Sequence, residues 1–425
     1  MSRINISFVQ YGGMTYRTMI EIASVLNKNI FNVNYFWCFP GKDQFSSFKH
    51  PIPKEEEILF FKKYLKDNKV NQHEFKVKKR FIPDPNLPWI GTNFFEIFEK
   101  VKTDIIFCWR SGRQEFPFCH INKPIVEWNV FGQFDPTKNL AKSLAISPFC
   151  KEEYIKNGGS PDNSEVVYLP LKDYKSKYNF RKELGIDEST IVLGMHQRKE
   201  DTIFSEISLN AINYVKNKSN LRIFTLFLGG SDKYKRYAKE LELEGHFIES
   251  TSNYETVSKF LNTLDIYTHA RKDGETLGAA IQEAMIHKLP VISHKSQWNA
   301  HIETIGPGGF VCDNQKQYNE LLLSWIKNLD HAKNIGIEGY EYALKKYTNK
   351  RIVTQIENIF KIVFEKKRNY NFNPPSKKIY RTRFLFYFPR YYLIKTFNFL
   401  MIFILGQRGT RILPKIKQYF IKLLG

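Results

Sequence analysis

Cysteine is scarce in this chain and follows no pattern. Cys38, Cys108, Cys119, Cys150 and Cys312 form no C-x-x-C pair, and no histidine accompanies them at a repeating zinc-ligand spacing. A disulfide framework and a zinc module are thereby excluded, and the set reads as reduced thiols of a cytoplasmic protein. A secretory leader is also missing: residues 4–9 open directly as a strand-like run, without a basic segment, an apolar segment and a small-residue cleavage site. Long uncharged runs are absent too. In the C-terminal part the longest, Thr396 to Gly406, is about half of the roughly 20 residues that a membrane-spanning helix needs.

Acidic residues are wholly absent from one region. Lys366 to Gly425 contains 14 Lys and Arg and no Asp or Glu, and so carries 14 of the 21 net positive charges. Such an excess points to an anionic partner. The segment is dense in aliphatic and aromatic residues and shows no nucleic-acid recognition motif, which argues against nucleic acid. Leu413, Ile416, Tyr419, Phe420, Leu423 and Leu424 fall at helical spacing with Lys415 and Lys422 between them. This pattern predicts an amphipathic helical tail lying on anionic lipid, with packing back onto the protein as the alternative.

What the chain does contain is enough apolar material for two cores: 425 residues, 42% hydrophobic and 25% charged. The run Ile4 to Val9, then Gly12-Gly13, then a helical pattern from Thr15 to Leu26 reads as strand, glycine turn and helix. Apolar runs at 33–36, 104–108, 124–127 and 143–146 continue the alternation. The rhythm restarts with a strand at 191–194, a helix near 203–215, a strand at 221–228 and Gly229-Gly230. It continues with strands at 265–269 and 289–293 and helices near 254–262, 279–287, 315–329 and 351–366. We therefore expect an α/β protein of two Rossmann-like βαβ domains facing a cleft, spanning 1–175 and 180–365, with a linker at about 170–185 and a basic tail at 366–425.

The segment Asp273 to Met285 carries the most chemical information. Glu275 and Glu283 stand eight residues apart, so a helix beginning near Leu277 would put one carboxylate just before its N-terminus and the other about two turns along. The amides of Thr276, Leu277 and Gly278 would then form a positive helix end suited to a diphosphate. Gly278-Ala279-Ala280 would let a ligand approach the backbone closely.

This segment, with the Ala284-Met285 and Pro290-Val291-Ile292 that follow, resembles the E-x7-E element of the retaining glycosyltransferase family 4. The likeness is specific over about 190–310 and weaker over 1–365. It implies a GT-B fold, a UDP- or GDP-linked sugar donor as substrate, and neither cofactor nor metal. The chain has no D-x-D triplet, the usual carboxylate site for a divalent ion in the other large glycosyltransferase fold. By the resemblance Glu283 binds the ribose hydroxyls, and Glu275 meets the donor sugar near its anomeric carbon. The amides of Thr276, Leu277 and Gly278 meet sugar and phosphates. Arg198 is the candidate for the family's catalytic arginine at the leaving diphosphate. The lysine expected beyond it is replaced by Ile203, leaving Lys199 to substitute. Gly12 and Gly13 are similar to the glycine-rich loop that approaches the donor from the first domain. His120 and His196 have no assigned role, and Asn129 lies near a strand end. Lys288 stands where the family often has glycine, at a cost on the order of 1 kcal/mol if the backbone is left-handed there.

The expected activity is transfer of a sugar to a glycan or lipid-linked acceptor in cell-surface polysaccharide biosynthesis, with retention, by a peripheral protein on the cytoplasmic face of a membrane. Two alternatives stay open: a catalytically silent binding subunit of a membrane complex, and a nucleotide-sugar epimerase of the same fold.

Overall fold

The computed structural model describes residues 2–10, 17–38, 55–76, 92–110, 118, 121–134, 136–171, 174–251 and 253–366. Gly12, Gly13, Cys119, His120 and the tail beyond Lys366 lie outside the described residues.

The first domain runs β1 (Ile4–Val9), α1 (Arg17–Val25), β2 (Phe31–Trp37), α2 (Glu55–Asp67), β3 (Asn71–Glu74), α3 (Phe94–Phe98), β4 (Ile105–Arg110), β5 (Ile125–Asn129), β6 (Leu140–Ala145), α4 (Pro148–Lys156) and β7 (Ser164–Val166). The seven strands pair in the order β3-β2-β1-β4-β5-β6-β7, all in parallel. Every residue of β1 and β5 is buried, as required of strands covered by helices on both faces.

The second domain runs β8 (Ile191–Gln197), α5 (Ile207–Lys218), β9 (Ile223–Gly229), α6 (Asp232–Glu240), β10 (Gly245–Ile248), α7 (Tyr254–Leu261), β11 (Ile266–Thr268), β12 (Gly274–Glu275), α8 (Ala279–Ile286), β13 (Val291–His294), β14 (Trp298–Asn299), α9 (His301–Ile305), β15 (Gly309–Cys312), α10 (Gln315–Lys327) and α11 (Leu329–Tyr347). Its main sheet has the order β10-β9-β8-β11-β13-β15, again parallel, so the first six strands of each sheet follow the same 3-2-1-4-5-6 path. β12 and β14 form a separate two-residue parallel pair beyond the carboxyl edge.

The last described helix, α12 (Asn349–Lys366), corrects the expected division of the chain. The sequence reading gave 180–365 to the second domain, but Ile352, Ile356, Ile359 and Phe360 are buried in the core of the first. The Phe360 ring packs edge-on to Phe31 and Phe107, at centroid distances of 6.0 and 5.4 Å. The reason is the apolar stripe of α12, which finds an uncovered face of the first sheet and buries there. The crossing at the other end is narrower than expected: Ser176 and Phe180 already donate backbone hydrogen bonds to Ser258 Oγ and Thr263 Oγ1 of the second domain, at 2.7 and 2.8 Å.

The four described cysteines are buried and unbridged. Among the described residues no helix is long and apolar enough to cross a membrane.

Candidate active site

The strand ends of the second sheet and the loops that leave them build the site. β11 delivers His269, the turn 270–273 follows, and β12 holds Glu275 extended by pairing with β14. α8 begins at Ala279 rather than near Leu277, so Glu275 sits on a short strand, not at a helix mouth. Two local causes shift the start. The β12 pairing keeps the chain extended, and Gly278 adopts φ +94°, a left-handed conformation that glycine takes without strain and that resets the chain before the helix. The amides of Thr276, Leu277 and Gly278 thus line the loop before the helix.

Glu275 is largely buried within a charged cluster. Its Oε1 lies 3.4 Å from His269 Nε2 and 3.3 Å from Arg271 Nη1, and its Oε2 lies 3.4 Å from the same Nη1. Arg271 is itself clamped by Asp273 through a two-point contact of 2.6 and 2.8 Å. That geometry fixes the guanidinium in plane. Burial alone would raise the Glu275 pKa. The His269 hydrogen bond and the positive charge of Arg271 outweigh it and hold the carboxyl below its ordinary value, so it is ionised at neutral pH. His301 is fully buried, and burial pushes its pKa down to about 4, so it is neutral there. Arg271 therefore supplies the standing positive charge beside Glu275.

Glu283 lies one face away, on α8. Its Oε2 is 2.8 Å from His196 Nε2, and both side chains are nearly buried, at 15% and 12% exposure. The other ring nitrogen of His196 meets the hydroxyl of Tyr267 at 3.2 Å. Beside Glu283, Tyr174, Tyr254, Ser258 and His287 line a small depression.

Arg198 and Lys199, the expected diphosphate ligands, follow the last residue of β8, but the structure does not bring their side chains to the two glutamates. Arg198 pairs with Glu200 at 3.2 Å and Lys199 with Asp232 at 3.5 Å, and both cations are more than half exposed. Asn129 is buried at the end of β5 and stabilises the following turn, accepting from the Gly132 amide at 2.8 Å and donating to the Gln133 carbonyl at 2.7 Å.

The first domain reaches directly into the E-x7-E segment. Ser147, the N-cap of α4, accepts from the Cys150 amide and donates to the Thr276 carbonyl at 2.6 Å. Leu277 inserts into the core of the first domain and is 2% exposed. Arg17 of α1 places its guanidinium 3.6 Å above the ring of Tyr254, the first residue of α7.

Sequence reasoning found both glutamates and missed their partners. Arg271 could have been read from its i, i+4 spacing to Glu275 and its closeness to Asp273. His269 stands at a strand end, where functional groups concentrate. Ser147 carried a visible N-cap signal, a serine followed by proline, but no sign that its hydroxyl also meets the other domain. Lys288 does take the left-handed conformation, φ +59°, that the missing glycine foretold.

Residues 176–342 match the family model for Glycosyl transferases group 1. No curated sequence matches the chain at a significant level. Among solved structures, the chain is similar to Anabaena HepE in complex with UDP-glucose: 14% identity, 84% of this chain and 99% of that chain covered, TM-score 0.60. A glycosyltransferase from Rickettsia africae gives 16% identity, 85% and 99% coverage and a TM-score of 0.62. A mutant of TarM from S. aureus, in complex with fondaparinux, α-GlcNAc-glycerol and UDP, gives 12% identity, 85% and 100% coverage and a TM-score of 0.58. The chain thus has the GT-B fold, and its second domain carries the glycosyl transferases group 1 match.

Proposed function

We propose that the chain is a retaining, metal-independent glycosyltransferase of the family 4 type. It moves a sugar from a nucleotide-sugar donor to a glycan or lipid-linked acceptor. The observation that carries this reading is the pair Glu275 and Glu283, both nearly buried, both ionisable, and set on adjacent elements beyond the carboxyl edge of the second sheet. Glu283 would accept from the ribose hydroxyls, and Glu275 from a hydroxyl of the donor sugar. The loop amides of Thr276, Leu277 and Gly278 would donate to the sugar and the diphosphate. Arg198 and Lys199, exposed and bound only by surface ion pairs, would swing onto the leaving diphosphate at little cost, because such pairs contribute on the order of 1 kcal/mol or less. Arg271 would hold Glu275 charged and in place while positive charge builds at the anomeric carbon.

UDP-linked sugars are the first donors to test, because HepE was solved with UDP-glucose and TarM with UDP. The tail at 366–425 would hold the enzyme at an anionic membrane surface on the cytoplasmic side, close to a lipid-linked acceptor. The deciding experiment is a thermal-shift titration with UDP, GDP and ADP and their sugar conjugates. A ligand at 100 times its Kd should add about 2.7 kcal/mol of stability. We expect a shift with UDP that is lost in Glu283→Ala. A shift unchanged by that substitution would overturn the site.

A further inference from the structure

Resting on the reading of Glu283 as the ribose-binding carboxylate, we propose that His196 is a positioning residue for donor binding. It fixes the Glu283 carboxylate through Nε2.

The argument starts from donors and acceptors. An ionised carboxylate only accepts, so the 2.8 Å contact to Glu283 Oε2 requires the proton on His196 Nε2. In the neutral ring Nδ1 is then an acceptor, and the group facing it is the Tyr267 hydroxyl at 3.2 Å. Tyr267 is fully buried, and burial raises its pKa well above the ordinary value, so the phenol keeps its proton. That hydroxyl has a second acceptor within reach, the backbone carbonyl of His196 itself, at 3.3 Å. The phenol at Nδ1 thus holds the imidazole in the tautomer that presents Nε2–H to Glu283.

The consequence falls on Glu283. Oriented by this hydrogen bond, its oxygens keep their remaining lone pairs directed at ligand hydroxyls. At the C-cap of α8, His287 is held by the Glu283 carbonyl and Ser258 Oγ, and burial lowers its pKa. The α7 element presents the Phe260 ring, edge-on at 5.9 Å, and β11 presents Tyr267. Further charges are Arg198, two residues along the chain from His196, and Lys175, whose field reaches His287.

The test is the Kd for UDP, measured by titration calorimetry at about pH 8 on the full chain and three variants. His196→Gln keeps an N–H donor toward Glu283, and His196→Ala removes the donor. We expect His196→Ala to weaken UDP about tenfold at pH 8, the loss of roughly one hydrogen bond's worth of orientation. His196→Gln should bind within about twofold of the wild type at pH 8, a rescue that depends on the donated hydrogen bond and not on the bulk of the ring. A His196→Gln protein as weak as His196→Ala, or a His196→Ala protein that binds like wild type, would overturn the proposal. Glu283→Ala separates the two levels: if it binds UDP normally, the site reading itself has failed, whatever His196 does.

Discussion

The two domains share one strand order and one device at the amino ends of their strands. In the first, Asp104 precedes β4 and accepts from both the backbone and the side-chain amide of Asn5 in β1, at 2.9 and 2.8 Å. In the second, Asp265 precedes β11 and accepts from the backbone amide of Val192 in β8 and from Arg181, each at 2.8 Å. Both aspartates tie the fourth strand to the first. An amide ladder extends the first network through Asn32 and Asn71 across β2 and β3. At the carboxyl ends the likeness stops. There the second domain gathers His196 with Glu283, and Arg271 with Glu275, while the first offers Ser147, Asn129 and the apolar socket for Leu277. The amino-end pairs serve the path of the chain and recur with it. On the proposed reading the carboxyl-end groups serve the ligand, and they differ between domains of one topology because a fold does not dictate a site.

That contrast can be broken by exchanging the two kinds of lesion. Glu275→Ala should lower sugar transfer on the order of 1000-fold, as removal of a preorganised electrostatic group does, while leaving the melting temperature within a few degrees. Transfer of a labelled sugar and a thermal melt on the same sample check both halves. A pH titration comes next in size. His301 is neutral and buried in the second domain with its pKa near 4, so the unfolded chain protonates there first as pH falls below the ordinary value of 6.5. The stability present above pH 6.5 is lost between there and about pH 4, by on the order of 3 kcal/mol. Urea midpoints across that window should decline less steeply in His301→Gln, and parallel curves would refute the assignment. Smallest is Asp104→Ala, which strands two buried amide donors and should cost about 2 kcal/mol of stability with the Kd for UDP unchanged. A changed Kd would mean that the amino-end network does reach the site.

Much of this was legible in the sequence, for reasons that differ by element. The central strands β1, β5, β8 and β9 announce themselves because burial on both faces demands runs rich in apolar residues. The edge strands β3 and β10 were missed because half their residues are exposed and polar, so Asn71 to Glu74 reads as loop. Glu275 and Glu283 were visible as a spaced pair. The periodic pattern at 279–287 caught α8, but β12 before it was missed because a two-residue strand paired with Trp298–Asn299 leaves no periodic trace. The destination of α12 could not be read at all: its apolar stripe says that it buries, not on which sheet. Arg271 was overlooked for the opposite reason, since an arginine next to a lysine reads as a solvated turn until Asp273 is seen to clamp it.

The return of α12 to the first domain means that the polypeptide passes between the domains twice. The passages are neighbours: the Leu171 amide donates to the Tyr347 carbonyl at 2.8 Å, and the rings of Tyr168 and Tyr347 meet edge to face at 5.0 Å. Two adjacent tethers act as the paired pins of a door. They suppress sliding and twisting and leave swing about one line as the easy motion, so a protease that cuts either pin frees neither leaf.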